Sequence, residues 1–247
     1  MSLVSRTPFQ LTGRYADRNR WENLAGPGDS RPTGLQVVED EGLLDGAWGA
    51  NKVCLVTGVS SGAGTETVRA LAATGATVYG TARDLEKARA ALGPELLATG
   101  RVHVLLIDQA DLASVRRCAA DFRERSDRLN VLVNNAAVMN TPQSFTKDGF
   151  ELQFGTNHLS HFLLFHELRD LLLASSTPAF HSRVVNVTSA GRGGLYLEGC
   201  AVAGPAPADS LAAGDALEYG YGGWAFDEGL EGRLWEKSLA WVGAASS

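Results

Sequence analysis

The chain has 247 residues, 45% of them hydrophobic, enough to bury a substantial core in one domain or two. A net charge of −6 and a pI of about 5.4 argue against a nucleic-acid or anionic-membrane surface. Cys54, Cys118 and Cys200 lack metal-ligand spacing, and neither an apolar leader nor a run of 18 apolar residues occurs, so the expectation is a cytoplasmic protein with no membrane span and no nucleic-acid partner.

Residues 1–50 are polar and rich in turn formers, with a Pro/Gly/Asp/Ser cluster at 27–34, and read as a loosely packed N-terminal arm. From 51 to 189, strand and helix patterns alternate, which predicts an α/β domain with a Rossmann-like, doubly wound parallel sheet. Strands are expected near 53–57, 77–81, 102–107, 130–134 and 183–188.

The first strand, Val53 to Thr57, runs into Gly58-Val59-Ser60-Ser61-Gly62-Ala63-Gly64, and a helix with Val68, Leu71 and Ala72 on one face follows over 66–74. A glycine-rich turn between strand and helix is the first βα turn of a dinucleotide fold, where backbone N–H groups receive a pyrophosphate. Gly58, Ser60, Ser61, Gly62, Ala63 and Gly64 are therefore cofactor-binding candidates. The second strand ends at Arg83, 19 residues after Gly64, where such a fold meets the adenosine ribose. An Arg there offers a planar fork to the 2′-phosphate of NADP, whereas an acid would favour NAD. Asp84 reads as the N-cap of a helix over Leu85 to Leu92, which leaves NADP as the expected cofactor and NAD as the alternative. Asp111 is the better N-cap for a helix over Leu112 to Arg125, although Asp108 could start that turn.

Further along stand Asn134-Asn135-Ala136-Ala137, GTNHLSHF with Asn157, and VVNVTS ending at Ser189. His158, His161 and His166 do not share one helical face and have no Cys or carboxylate to complete a shell, so no metal is expected. Residues 190–247 hold 12 of the 28 glycines and lose apolar period, and only a short helix near 227–241 is expected there.

With Gly58/Gly62/Gly64 in TGxxxGxG, Asp108 in LLIDQADL, and the three motifs just quoted, the chain resembles the short-chain dehydrogenase/reductase family, nearest its retinol-dehydrogenase-like and fungal oxidoreductase members. The resemblance covers residues 52–189. It implies NADP-dependent hydride transfer between the nicotinamide and a carbonyl or alcohol small molecule. It also implies that Asp108 accepts a hydrogen bond from the adenine amino group and that Asn134, Asn135 and Ala136 line the adenosine end. Asn157 would lie mid-helix and support a proton-relay water, and Ser189 would donate to the substrate carbonyl.

The family's acid is a Tyr whose pKa is lowered by a Lys four residues on. Here Tyr196, Tyr219 and Tyr221 are followed at that distance by Cys200, Gly223 and Ala225, and Lys237 by itself follows Ser189. Tyr219, with Ser189 and Asn157, is taken as the candidate catalytic set. The family also continues for roughly 100 residues beyond the serine, against 58 here. The expectations are therefore an incomplete C-terminal flank of the sheet, a shortened product, and an exposed strand edge open to homo-oligomerisation. A catalytically inactive nucleotide-binding relative is the alternative reading.

Overall fold

The computed structural model describes residues 14, 15, 18, 23, 25, 26, 28–44, 46, 48–187, 197, 198, 201, 202 and 228–244. The chain divides into two compact units, Gly34–Val187 with Trp235–Ser247, and Met1–Thr33 with Thr188–Leu234.

The first unit holds the α/β fold. Its strands are β1 (Val53–Thr57), β2 (Thr77–Ala82), β3 (Val102–Leu106), β4 (Val131–Asn134) and β5 (Arg183–Asn186), all parallel in the order β3-β2-β1-β4-β5. The helices are α1 (Gly34–Asp40), α2 (Gly62–Ala73), α3 (Leu85–Leu92), α4 (Pro94–Ala98), α5 (Leu112–Arg125), α6 (Leu152–Phe154) and α7 (Ser160–Ala174). A π-helical turn, Gly155–Leu159, joins α6 to α7. A last helix, α8 (Glu228–Trp241), gives this unit its C-terminal part from Trp235 onward.

Period-two alternation along the strands sends side chains to opposite faces and divides the core in two. Cys54, Val56, Val78, Val131 and Val133 pack with Val68 and Ala72 of α2 and Ala88 and Leu92 of α3. Leu55, Tyr79, Leu105 and Leu132 pack with Val115, Cys118, Ala119 and Phe122 of α5 and with Leu163, Leu164, Leu168 and Leu172 of α7. The α5 set recurs at helical spacing, so one stripe of that helix is apolar and most of the rest is charged. Phe122 is wholly buried and meets Tyr79 edge to face at 5.0 Å, so truncating it to Ala would cost about 3–5 kcal/mol.

Each core half holds one free thiol. Burial pushes both Cys54 and Cys118 up to about 12, so they are packing groups.

The strand bounds fall within two residues of the expected ones. The helix after the glycine turn starts at Gly62, four residues earlier than the expected start at 66. Residues 34–40, assigned by composition to the arm, form α1, which buries Val38 and sets Gly34 against Ala70 of α2. Among the described residues β5 is a sheet edge, and its run 183–187 is exposed, with Val184, Val185 and Val187 at 38%, 43% and 50%.

In the second unit, Asp29 closes a turn by accepting from Ala25 N and Gly26 N and pairing with Arg31, which holds its carboxyl well below the usual carboxylate range. Leu197–Glu198 and Ala201–Val202 pair as a short antiparallel ladder.

Candidate functional site

The carboxyl ends of β1 to β4 bring most of the expected residues to one edge. The edge is built outward from Thr57, the buried last residue of β1. After it the chain turns sharply, and the N–H groups of Gly58 and Val59 both donate to Thr81 O at the end of β2. Val59 is fully buried and fills the space that a side chain at Gly80 would need, while Thr65 ties the turn to α2 by donating to Val59 O at 3.1 Å.

Gly62 and Gly64 have different reasons to be glycine. A Cβ on Gly64 would lie 2.1 Å from Gly58 O and 2.6 Å from Asn135 Nδ2, so the helix could not approach the turn so closely. At Gly62 φ is +61°, a left-handed conformation that other residues adopt at a cost of about 1–2 kcal/mol, and a Cβ would point into open space. That open space lies over the exposed start of α2, where the N-cap Ser61 makes no side-chain cap and Ser61, Gly62 and Ala63 face solvent. Among the described residues, no side chain accepts from the first-turn amides of α2. A helix start with unpaired N–H groups and the positive end of its dipole is suited to a phosphate.

The loop after β4 is fastened to this turn. Thr57 Oγ1 accepts from Asn135 N at 2.9 Å and Ala136 N at 3.0 Å, and Asn135 Nδ2 donates to Thr57 O at 2.8 Å and to Gly58 O at 3.2 Å. Asn134 donates to Asn186 Oδ1 of β5, while its own buried Oδ1 has no partner among the described residues. That orphaned acceptor, the open cradle at Gly62 and the unpaired amides of α2 together fit a dinucleotide.

Arg83 follows β2 and is exposed, with no ion pair or hydrogen bond to its guanidinium among the described residues. Asp84 caps α3 by accepting from Lys87 N at 2.9 Å, as its position implies. Asp108 follows β3, where its Oδ1 accepts from Ala110 N and its N–H donates to Ser114 Oγ. Asp111 caps α5. Asn157 lies in the π turn, mid-helix as expected. Its amide is exposed yet engaged at both atoms: Oδ1 accepts from Val138 N at 2.9 Å and Nδ2 donates to Val138 O at 2.8 Å. Ser189 and Tyr219 lie outside the described residues, as do Tyr196 and Tyr221. Lys237 is exposed on α8, its ammonium over the Trp241 ring at 5.8 Å.

His161 and His158 make packing and hydrogen-bond contacts. His161 is buried against Thr57, Gln109 and Asn157 O, and burial pushes it down to about 4. His158 reaches the fully buried Ser238 at 2.9 Å, stacks on Phe154, and is lowered by burial. Among the described residues no cluster of His, Cys, Asp or Glu could hold a metal ion, and no helix is long and apolar enough to cross a membrane. Sequence reading gave Thr57 and Gln109 no role of their own. The hint was that a polar residue ends an otherwise apolar β1, where it needs partners if buried.

Comparison with known proteins gives a consistent result. The short chain dehydrogenase family model matches residues 52–199. Short-chain dehydrogenase/reductase prx1 of Penicillium roqueforti is 51% identical over 179 residues, which are 72% of this chain and 51% of the relative. Retinol dehydrogenase 11 of Mus musculus is 44% identical over 142 residues, 57% of this chain and 44% of the relative. The chain thus spans about half the length of the curated relatives it matches. The crystal structure of an uncharacterized protein from Mycobacterium paratuberculosis superposes with a TM-score of 0.55 at 28% identity, covering 79% of this chain and 94% of that one.

Proposed function

The chain belongs to the short chain dehydrogenase family, and from that premise we propose that it binds NADP(H) at the carboxyl ends of β1 to β4 and acts as an oxidoreductase on a carbonyl or alcohol small molecule. The observation that carries this reading is the uncapped, exposed start of α2 behind the open side of Gly62. Its amides would hold the pyrophosphate, with Ser60, Ser61 and Ala63 beside it. Asp108 would take the adenine amino group, and Asn134, Asn135 and Ala136 would line the adenosine end. Arg83 would grip the 2′-phosphate, and its exposed guanidinium supports that assignment. When bound, the nicotinamide supplies or accepts the hydride.

This chain's own groups would do the rest. Ser189 would donate a hydrogen bond to the substrate oxygen, stabilising the negative charge that grows there. Asn157, held at both amide atoms by Val138, would fix the helix beside the reacting centre. Tyr219 would be the proton donor, without the Lys four residues on that would favour its phenolate. Proton exchange at neutral pH is then slow, so weak turnover is expected. That same feature favours a second reading, a dinucleotide-binding protein with little or no turnover.

Calorimetry of the folded protein with NADP(H) and NAD(H) tests the binding claim, which fails if neither gives heat. Arg83→Ala should reduce NADP(H) affinity about ten- to a hundredfold with NAD(H) affinity nearly unchanged. A variant that still preferred NADP(H) tenfold would remove Arg83 from the assignment. Hydride transfer from NADPH to aldehydes, lost in Ser189→Ala and Tyr219→Phe, would decide for catalysis over binding alone.

A further inference from the structure

The hydrogen bonds around Thr57 determine a protonation state. A hydroxyl has two acceptor lone pairs and one proton. Both lone pairs of Thr57 are taken, by Asn135 N at 2.9 Å and Ala136 N at 3.0 Å, so its proton must be donated elsewhere. Val133 O lies 3.5 Å away and His161 Nε2 lies 2.8 Å away. The nearer group receives it.

The other ring nitrogen settles the tautomer. His161 Nδ1 is 2.9 Å from Asn157 O, which only accepts, so Nδ1 carries the proton and Nε2 is the lone pair. Gln109 Nε2 donates to the same lone pair at 2.8 Å, and its orientation is fixed because Ser160 gives its own proton to Thr156 O at 2.6 Å and so accepts from Gln109 at 2.8 Å. A doubly protonated ring would aim Nε2–H at a hydroxyl with no free lone pair and at an amide NH₂. It would find no acceptor.

We propose that His161 is a positioning residue for the dinucleotide site: its bare Nε2 sets the Thr57 hydroxyl so that both lone pairs face the β4 loop and clamp that loop against the glycine turn. The inference rests on the dinucleotide reading above. Ala136 is the residue displaced if the clamp slackens, and it already lies where a Cβ on Gly58 would come within 2.7 Å of it. Without an acceptor at the place of Nε2, the Thr57 proton must swing toward Val133 O and pull a lone pair off one of the two amides.

The test measures NADP+ affinity by calorimetry on variants shown to be folded. His161→Leu should weaken binding about tenfold, the effect of one lost buried hydrogen bond with its partner left unpaired. His161→Gln, whose Oε1 reaches the place of Nε2, should stay within about threefold of the parent. In a Thr57→Val background the Leu substitution should add less than about threefold, because the hydroxyl it acts through is gone. If His161→Leu does not fold, His161→Asn, too short to reach Thr57, takes its place. Nitrogen-15 spectra of the unmodified protein should show His161 protonated at Nδ1. Parent affinity in the folded Leu or Asn variant, an undiminished loss in the Thr57→Val background, or an Nε2–H tautomer would each overturn the inference. Failure of the folded parent to bind either NADP+ or NAD+ is a different result: it removes the dinucleotide reading, and the inference with it.

Discussion

Two helices start at the same edge of the sheet and are finished in opposite ways. At the head of α5, Asp111 accepts from Ala113 N and Ser114 N, Asp148 accepts from Leu112 N, and Lys147 pairs with Asp111 at 3.0 Å. At the head of α2, Ser61 is an N-cap by position that bonds nothing with its side chain, and the residues after it are exposed. An intramolecular carboxylate completes the first helix, whereas the second has the same positive end and leaves it to something from outside. The contrast separates a helix start completed from within from the one proposed to hold the pyrophosphate.

The largest expected effect removes the contrast by preventing α2 from reaching the turn. Gly64→Val places a branched Cβ against Gly58 O and should cost about 3 kcal/mol or more, read as a shift of the denaturant midpoint. Gly62→Ala, with open space but a left-handed backbone, should cost no more than about 1–2 kcal/mol. Equal losses at the two positions would contradict the close approach at Gly64.

Making α2 resemble α5 sharpens the comparison. Ser61→Asp adds a carboxylate at the dipole, so thermal stability should rise by about 0.3–1 kcal/mol. The same charge would meet the pyrophosphate, and NADP+ affinity should fall about tenfold or more. A variant that binds as the parent does would show that this helix start is not the anion site.

Next comes pH. Unfolded His161 takes a proton near pH 6.5, and burial pushes the folded group down to about 4. Between those values the unfolded state binds the extra proton, so stability falls as pH falls, by about 1.4 kcal/mol per pH unit for this group. His158 and His103 are also lowered by burial and add to the same slope, so the comparison is with His161→Gln, which should show a shallower fall in chemical denaturation between pH 6.5 and 4.5. Identical slopes would contradict a buried neutral His161.

The smallest effect is at the capped helix. Asp111→Ala should cost about 1 kcal/mol in unfolding free energy and leave NADP+ affinity unchanged. The Lys147 ammonium and the helix amides hold the Asp111 carboxyl below its ordinary value, so this contribution is present above the unfolded pKa of about 3.9 and is lost as pH falls through the lower folded value. A matching loss of affinity would mean that the two helix starts are not independent.

What the sequence made legible was local. The caps Asp84 and Asp111 and the glycine turn are written within a few neighbouring residues, and so are the five strands, whose apolar runs are interrupted by turn formers. The Thr57–His161 contact spans 104 positions and the Gln109–His161 contact 52, and nothing near any of the three announces the other two. Short-range patterns also missed α1, whose GLQVVED buries Val38 alone, and the π turn, whose amides bond one residue further along than helical periodicity suggests. Ser189 and Tyr219 illustrate a different limit. Their proposed roles depend on positions that periodicity alone could not supply.

The division of the core has a practical consequence for following the protein's motions. Cys54 belongs to the half covered by α2 and α3, Cys118 to the half covered by α5 and α7, and each is sealed as an unreactive thiol. Alkylation of either one therefore waits for its own layer to open. Mapping the modified peptides over time gives two independent clocks in one unmodified chain, and a dinucleotide seated on α2 should slow the Cys54 clock more than that of Cys118.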